Sequence, residues 1–416
     1  MTFDDLRQEL SRRAPGQWEL YQKTAESREL ESSTALSRSD WRREEGWAAR
    51  WWEKGAPRFA AGTSPGELFA ALPEAASPAL ETESPPEWPS RTLTCGPGAA
   101  APPPPDLFQD LAQAVGAASR GEARLAELSV RAGTAQERIV NAAGLDVSQA
   151  WTILDGLASA VGRRGARARE VRVPFRWSGV PQIEPLARRL SDASTLPLSE
   201  RPAPFSSGQW LLDPSVAAAI LASLAPAFTE ERPPRWITRS RIAAPEVRIV
   251  DDASADAPFD GEGTATRRVV LMEGGALVDR LEDLRSASRT GRATSGHGVR
   301  ASFRSPPLVA PRRLFFESSN RATSDQLLSR VTRGLYAAAL TGAPRVRHSE
   351  DRYEIEFSGI SVVGGRAQGP VASARTAGRL SELLRRISGM SSDVQFWPMP
   401  FLVGSPTLLV ERASFE

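Results

Sequence analysis

Two histidines and one cysteine are the scarcest reactive groups in this chain. His297 sits in Thr294-Ser295-Gly296-His297-Gly298, a glycine turn with a serine two residues before the imidazole. Hydrolytic Ser–His pairs are assembled from distant segments, so neighbours this close read as a loop histidine with satisfied hydrogen bonds. His348 is followed by Ser349, and Cys95 stands alone. A hydrolytic zinc needs about three protein ligands, an open position for water and a carboxylate base. Neither histidine has a glutamate placed to complete such a set. Asp256, Asp260 and Glu262 crowd one turn and could hold a cation. Arg267 and Arg268 follow closely, and pairing with them is the simpler reading. Residues 359–365 are glycine-rich but lack both dinucleotide spacing and a phosphate-loop lysine, which leaves hairpin turns.

Most of these groups fall within residues 258–316, where glycines punctuate short apolar runs. Val269-Val270-Leu271-Met272 predicts a buried strand, Glu273-Gly274-Gly275 a tight turn, and Ala276-Leu277-Val278 the return strand. Leu281 and Leu284 bracket what reads as a polar loop. The turn at 294–298 leads to an extended piece over 299–303. Pro306, Pro307 and Pro311 keep the chain extended up to Leu314-Phe315-Phe316.

The rest of the chain is ordinary in composition. It has 416 residues, 41% hydrophobic and 25% charged, enough for two domains with sizeable cores. The net charge is only +2, and Lys23 and Lys54 are the only lysines. No basic run is present, so nucleic acid is not an expected partner. A single cysteine allows no internal disulfide, in keeping with a reducing cytoplasm. The amino terminus is polar and amphipathic, unlike a signal peptide. The longest apolar stretch, 216–228, is broken by Pro226 and is too short to span a bilayer.

Phe3, Leu6 and Leu10 predict a short helix capped by Thr2. Short extended pieces follow at 18–21, 29–31, 46–52 and 58–61, and a helix starts after Thr63-Ser64-Pro65. Trp47, Trp51 and Trp52 read as core or interface packing. A Pro/Ala/Gly/Ser loop spans 77–106 and contains Cys95. Beyond it come a helix over 106–118, four strands within 125–177 and a closing helix over 184–190. Two tandem helix-plus-meander units would make one α+β domain over residues 1–194. A mainly-β domain over 208–416 would follow. Asp213-Pro214 opens an apolar helix over 215–224, with Asp213 as its cap. Strands are expected at 236–237, 247–250 and 335–340, with a helix at 325–331. A hairpin of 353–357 against 359–363 is expected, then a helix over 376–387 and a last strand at 406–410.

The order of these pieces resembles the TldD/TldE (PmbA) family. The resemblance rests on Phe259-Asp260-Gly261-Glu262-Gly263, Gly275-Ala276-Leu277, the Ala287 to Gly291 loop and Ser295-Gly296-His297-Gly298-Val299-Arg300. It continues through Gly334-Leu335-Tyr336 with Gly342, Gly359 with Gly364-Gly365, and Ala377-Gly378-Arg379-Leu380. It ends with Asp393 and Pro406-Thr407-Leu408-Leu409-Val410. Glu45-Gly46-Trp47-Ala48-Ala49-Arg50 and Arg58-Phe59-Ala60-Ala61 are similar to the family's amino-terminal domain, except that no glycine precedes Phe59.

The resemblance implies a two-domain α+β protein in a zinc peptidase complex acting on unfolded or extended peptides. These would include leader peptides of modified antibacterial products and an antitoxin. The catalytic TldD-type chain carries a His-Glu-x-x-x-His helix, which would fall near 213–224 here. Val216-Ala217-Ala218-Ala219-Ile220-Leu221 has no ligand atom. The chain is therefore similar to the TldE/PmbA type, with no catalytic or metal residue of its own, zinc in a TldD-like partner, and a cytoplasmic heterodimer. Ser295, Gly296, His297 and Arg300, with Gly359 and Ser361, are the expected cavity-facing residues, presenting strand edges to a peptide. Two alternatives stand beside this: a stand-alone homodimeric peptide-binding protein without peptidase activity, and an enzyme with an unrecognised site.

Overall fold

The computed structural model describes residues 2–33, 36–75, 86–95, 106–177, 181–199, 201–229, 232–239, 241–255 and 257–416. Asp256 and most of the 77–106 segment lie outside these.

The chain opens with helix α1 (Phe3–Arg13), capped by Thr2 and Asp5 in a reciprocal capping box. Strands β1 (Trp18–Ser33), β2 (Ser37–Glu53) and β3 (Ala56–Gly62) follow, then α2 (Pro65–Ala71). Strand β4 (Thr92–Cys95) places Cys95 in a strand, not in a loop as expected. Helix α3 (Leu107–Ala118), β5 (Ala123–Asn141), β6 (Asp146–Arg164), β7 (Arg167–Arg176) and α4 (Ile183–Thr195) complete this half.

The short strands expected from the sequence are in fact long ones. Polar residues on a solvent face look like turns in a sequence, but the backbone ladder runs through them undisturbed. The two expected meanders are also one seven-stranded sheet, ordered β3-β2-β1-β5-β6, with β4 and β7 on the far side of β6. The joint is β1 against β5, in register from Glu19↔Asn141 to Ser33↔Glu127.

Strand alternation gives this sheet two different faces. Trp18, Leu20, Trp47 and Trp51 pack with α1 and α2. Farther along the sheet, Leu128, Val130, Ala132 and Leu154 pack with α3 and α4. On the other face, Tyr21, Ala48, Ile139 and Val147 meet Phe259 and Phe303 from the carboxy-terminal half.

That half begins with β8 (Ser207–Leu212), α5 (Pro214–Leu224), β9 (Arg248–Asp252), β10 (Arg268–Glu273) and β11 (Ala276–Leu277). Next come α6 (Leu284–Thr290), β12 (Gly298–Val299), β13 (Leu308–Val309), β14 (Arg313–Glu317), α7 (Ser324–Ser329) and β15 (Arg333–Leu340). The chain continues through β16 (Arg345–Arg347), β17 (Arg352–Val363), β18 (Arg366–Gly378), α8 (Leu380–Arg385) and β19 (Ile387–Met390). It ends with β20 (Gln395–Pro398), β21 (Leu402–Ser405) and β22 (Leu408–Ser414).

One sheet runs β11-β10-β9-β14-β21-β20. The other runs β16-β17-β15-β8-β22-β19, with β18 beside β17. Helix α5 is apolar all round and lies in the core that joins Trp210 and Leu212 of one sheet to Ile249, Leu271 and Leu314 of the other. The β8/β15 sheet curls until Arg375 of β18 and Glu416 exchange both backbone hydrogen bonds, each 2.9 Å.

Several local expectations are corrected. The loop bracketed by Leu281 and Leu284 is present but ends at Asp283, and the expected Ala287 to Gly291 loop is helix: Asp283 and Ser286 form a capping box, and Gly291 ends α6 at φ 66°. Trp236 and Ile237 lie in turns, not in a strand. Of the extended piece expected over 299–303, only Val299 is paired, with Leu308. Residues 353–363 do not fold back as a hairpin, because β17 is one strand pairing with β15, β16 and β18. The helix expected over 376–387 is β18 up to Gly378 and then α8.

Candidate functional site

The loop after Phe259 is where the two halves meet, and Asp260 organises it. Asp260 Oδ1 accepts from the amides of Glu262 (2.9 Å) and Thr264 (3.0 Å). Its Oδ2 accepts from Gly298 N at 2.7 Å. Glu262 is thereby aimed across the junction. Its Oε1 accepts from Arg50 Nη1 (2.9 Å), and its Oε2 from Leu284 N (2.7 Å). Arg50 also donates to Glu19 at 3.0 Å. Arg300 binds the other oxygen of Glu19, donates to Gly261 O at 2.8 Å, and lies over the Tyr21 ring. Phe303 fills the space above Gly46, where a Cβ would stand 2.1 Å from the ring.

Of the acidic turn, Glu262 is arginine-paired, though not with the expected arginines, while Asp260 is held by backbone amides and Asp256 lies outside the described residues. Arg267 faces Asp279, and Arg268 faces Glu317 and Asp252. The partner of Glu262 comes from β2, more than two hundred residues earlier. Glu19 is outside every motif noted in the sequence, and Arg50 stands there only as the end of the Glu45–Arg50 motif, with no partner assigned. Their one signal is a charge inside an apolar strand, Trp18-Glu19-Leu20-Tyr21 and Ala49-Arg50-Trp51-Trp52.

Burial pushes the Asp260 carboxyl up to about 6, against the pull of its three amide donors and Arg312. Burial likewise pushes Glu262 up to about 8, opposed by Arg50 and reinforced by Asp283 and Asp260. Such a carboxyl holds its proton more tightly when folded. Its stabilising contribution is full below the unfolded value, about 4, and is lost as pH rises through the folded value. We expect urea-unfolding stability to fall between about pH 5 and about pH 8.5. A flat or rising profile over that window would contradict the assignment.

Ser295, His297 and Asp251 come together in one hydrogen-bonded row. His297 Nε2 is 2.9 Å from Asp251 Oδ1, and Nδ1 is 2.9 Å from both the hydroxyl and the carbonyl oxygen of Ser295. The row has the residue types of a hydrolytic triad, yet all three side chains are completely buried. The Ser295 hydroxyl also accepts from Glu282 N (2.7 Å) and lies 2.9 Å from Glu282 O. Asp251 accepts from the amides of Arg312 and Arg313. The row ties β9, the 295–298 loop and the start of β14 together, and no substrate can reach the hydroxyl.

The six residues expected to face a cavity do not share a surface. Ser295, Gly296 and His297 are buried, and Arg300 is engaged with Glu19. Gly359 and Ser361 are buried on β17, which has a neighbour on each side there and offers no free edge.

A second polar cluster surrounds the start of α5. Asp213 Oδ1 accepts from the amide (2.9 Å) and hydroxyl (2.7 Å) of Ser215, and Oδ2 from Tyr336 OH (2.7 Å). Asp192 of α4 is pushed up to about 7 by burial and by Asp213. Val216, Ala217, Ala218, Ile220 and Leu221 of α5 are buried and carry no donor atom. No group of three or more metal-ligating side chains is assembled among the described residues. The residues at α5 therefore do not fit zinc.

The carboxy-terminal half, residues 209–416, matches the family described as the PmbA/TldA metallopeptidase C-terminal domain. An uncharacterized protein (MJ0231) of Methanocaldococcus jannaschii is 26% identical over 200 residues, 45% of this chain and 47% of that one. A "Metalloprotease TldD homolog" of Buchnera aphidicola is 22% identical over 189 residues, 41% of this chain and 39% of its own. The alignments thus span less than half of these curated relatives. In fold the likeness is full-length. TldE from Thermococcus kodakarensis superposes with a TM-score of 0.81 at 18% identity, covering 99% of both chains. A candidate modulator of a DNA gyrase from Thermotoga maritima gives 0.79 at 16% identity and covers 100% of each. The chain belongs to the PmbA/TldD family and has the fold seen in TldE.

Proposed function

We propose that this chain is the supporting, TldE/PmbA-type subunit of a zinc peptidase whose metal is held by a TldD-like partner. The observation that carries this is α5. The helix is fully packed and apolar where a zinc-binding chain of this family needs imidazoles, and its capping Asp213 is already engaged by Ser215 and Tyr336. The substrate class is an unfolded or extended peptide, held partly by main-chain pairing at a sheet edge. Residues 37–46 of β2 pair with β1 alone among the described strands, which makes them the edge of choice. Trp41, 76% exposed on that segment, supplies an apolar contact. Among the described residues no helix is long and apolar enough to cross a membrane, and we place the complex in the cytoplasm.

Co-expression with a TldD-like chain tests this directly. The two chains should co-purify, and zinc should be present only in preparations that contain the partner. Zinc bound tightly by this polypeptide alone, or separate elution of the two chains, would overturn the reading.

A further inference from the structure

The outer part of β2 is a long, bare strand edge. Residues 37–46 pair with β1 on one side, and β3 takes up the other side only from Trp47 onward. Among the described residues nothing bonds their outward backbone groups. Such an edge is a template for another strand, and proteins usually blunt it with a proline, a bulge or lysines. Residues 37–46 contain neither proline nor lysine, and their register with β1 runs unbroken to Ser32↔Ser37.

The charges on this edge are ordered. Strand alternation puts Arg38, Asp40, Arg42 and Glu44 on one face, so the signs along it read plus, minus, plus, minus. Trp41 stands on the opposite face, the most exposed of the large apolar side chains among the described residues. Arg38 already meets Asp40, and Arg42 meets Glu29, but these are surface pairs that rearrange at little cost.

A strand with alternating signs is complementary to itself. Two copies that meet antiparallel about a two-fold axis normal to the sheet keep their faces aligned, and the axis then passes between one residue and its own copy. Centring on Asp40, Arg42 or Arg43 sets a charge against the same charge, which is repulsive. Centring on Trp41 sets Asp40 against Arg42 and Arg38 against Glu44, each twice, and brings the two indoles together at the axis. The same centring places the exposed Leu36 opposite Gly46, so each hairpin tip stops where β3 begins in the other copy.

We propose that β2 of a second copy of this chain pairs antiparallel with residues 37–46, centred on Trp41, and joins the two seven-stranded sheets into one. This goes beyond the supporting-subunit reading and does not depend on it. It also sets a competition, because a peptide and a second copy cannot hold the same edge at once.

Sedimentation velocity of the full chain in low salt, from micromolar to hundred-micromolar concentration, tests it. The unmodified chain should shift by mass action from one-chain to two-chain mass. Asp40→Arg and Arg42→Asp should each weaken that association about tenfold or more, because each sets like charges opposite one another, while leaving the thermal melt in place. An equimolar mixture of the two variants should recover the two-chain species, since arginine 40 of one chain then faces aspartate 42 of the other. A one-chain mass at every concentration would overturn the proposal. So would a two-chain species that ignores both reversals, which places the interface elsewhere, or a mixture that fails to recover, which removes the Trp41 centring. An unmodified chain that stays single, with Asp40→Arg blocking co-purification with a TldD-like chain, would overturn self-pairing and give the edge to that partner. In each case co-expression of the unmodified chains judges the supporting-subunit role separately.

Discussion

Arg50→Met is expected to destabilise the folded chain by about 3–5 kcal/mol, the cost of breaking a buried ion pair from one side. The substitution keeps the aliphatic length of the side chain but leaves Glu262 with a single amide donor and Glu19 with Arg300 alone. The loss should be larger at about pH 8.5 than at about pH 5, because only a deprotonated Glu262 is left as an unpaired charge. Removing both partners in Arg50→Met/Glu262→Met should recover part of the loss, since a buried pair is often replaceable by apolar side chains. Urea unfolding of the single and double variants at both pH values measures all three points. A single-variant loss below about 1 kcal/mol would show that the junction does not depend on this pair.

Gly359→Ala should be the more disruptive of two glycine substitutions chosen to contrast. A Cβ at position 359 would stand 1.8 Å from the carbonyl oxygen of Tyr336, inside the β15–β17 ladder. Backbone has no rotamer with which to yield, so the strands must separate. Overpacking of this kind costs about 1–3 kcal/mol and sometimes more. At Gly342 a Cβ meets nothing within 4 Å, and Gly342→Ala should be neutral or slightly stabilising. Soluble yield and melting temperature distinguish the pair. A Gly359→Ala chain that melts like the unmodified one, yet binds peptide poorly, would return Gly359 to the role of a ligand contact.

These expectations show which residues could be read one at a time. The Asp283 and Thr2 caps and the Gly274-Gly275 turn depend on neighbours within a few positions. Asp283 and Ser286 supply a local capping signal and Gly291 the stop, even though the family resemblance presents Ala287 to Gly291 as a loop. Strand lengths were legible only in part. Solvent-facing polar residues in β1 and β5 mimic turns, and the ladder that carries the strand through them belongs to another part of the chain.

That residues 216–221 carry no imidazole, thiol or carboxylate is legible in composition and spacing alone, because folding cannot supply side chains that a segment lacks. The apolar character of α5, its Asp213 cap and the family resemblance were likewise local properties. Tertiary structure decided the rest. It buried Ser295, His297 and Asp251 in one closed row, and it gave Glu262 its arginine from β2. It closed β17 on both sides and set Arg189 of α4 over Trp397 of β20. Each of these turns on the packing of one half of the chain, or one strand, against another. Burial and long-range pairing are properties of that packing, and no window of sequence contains both partners.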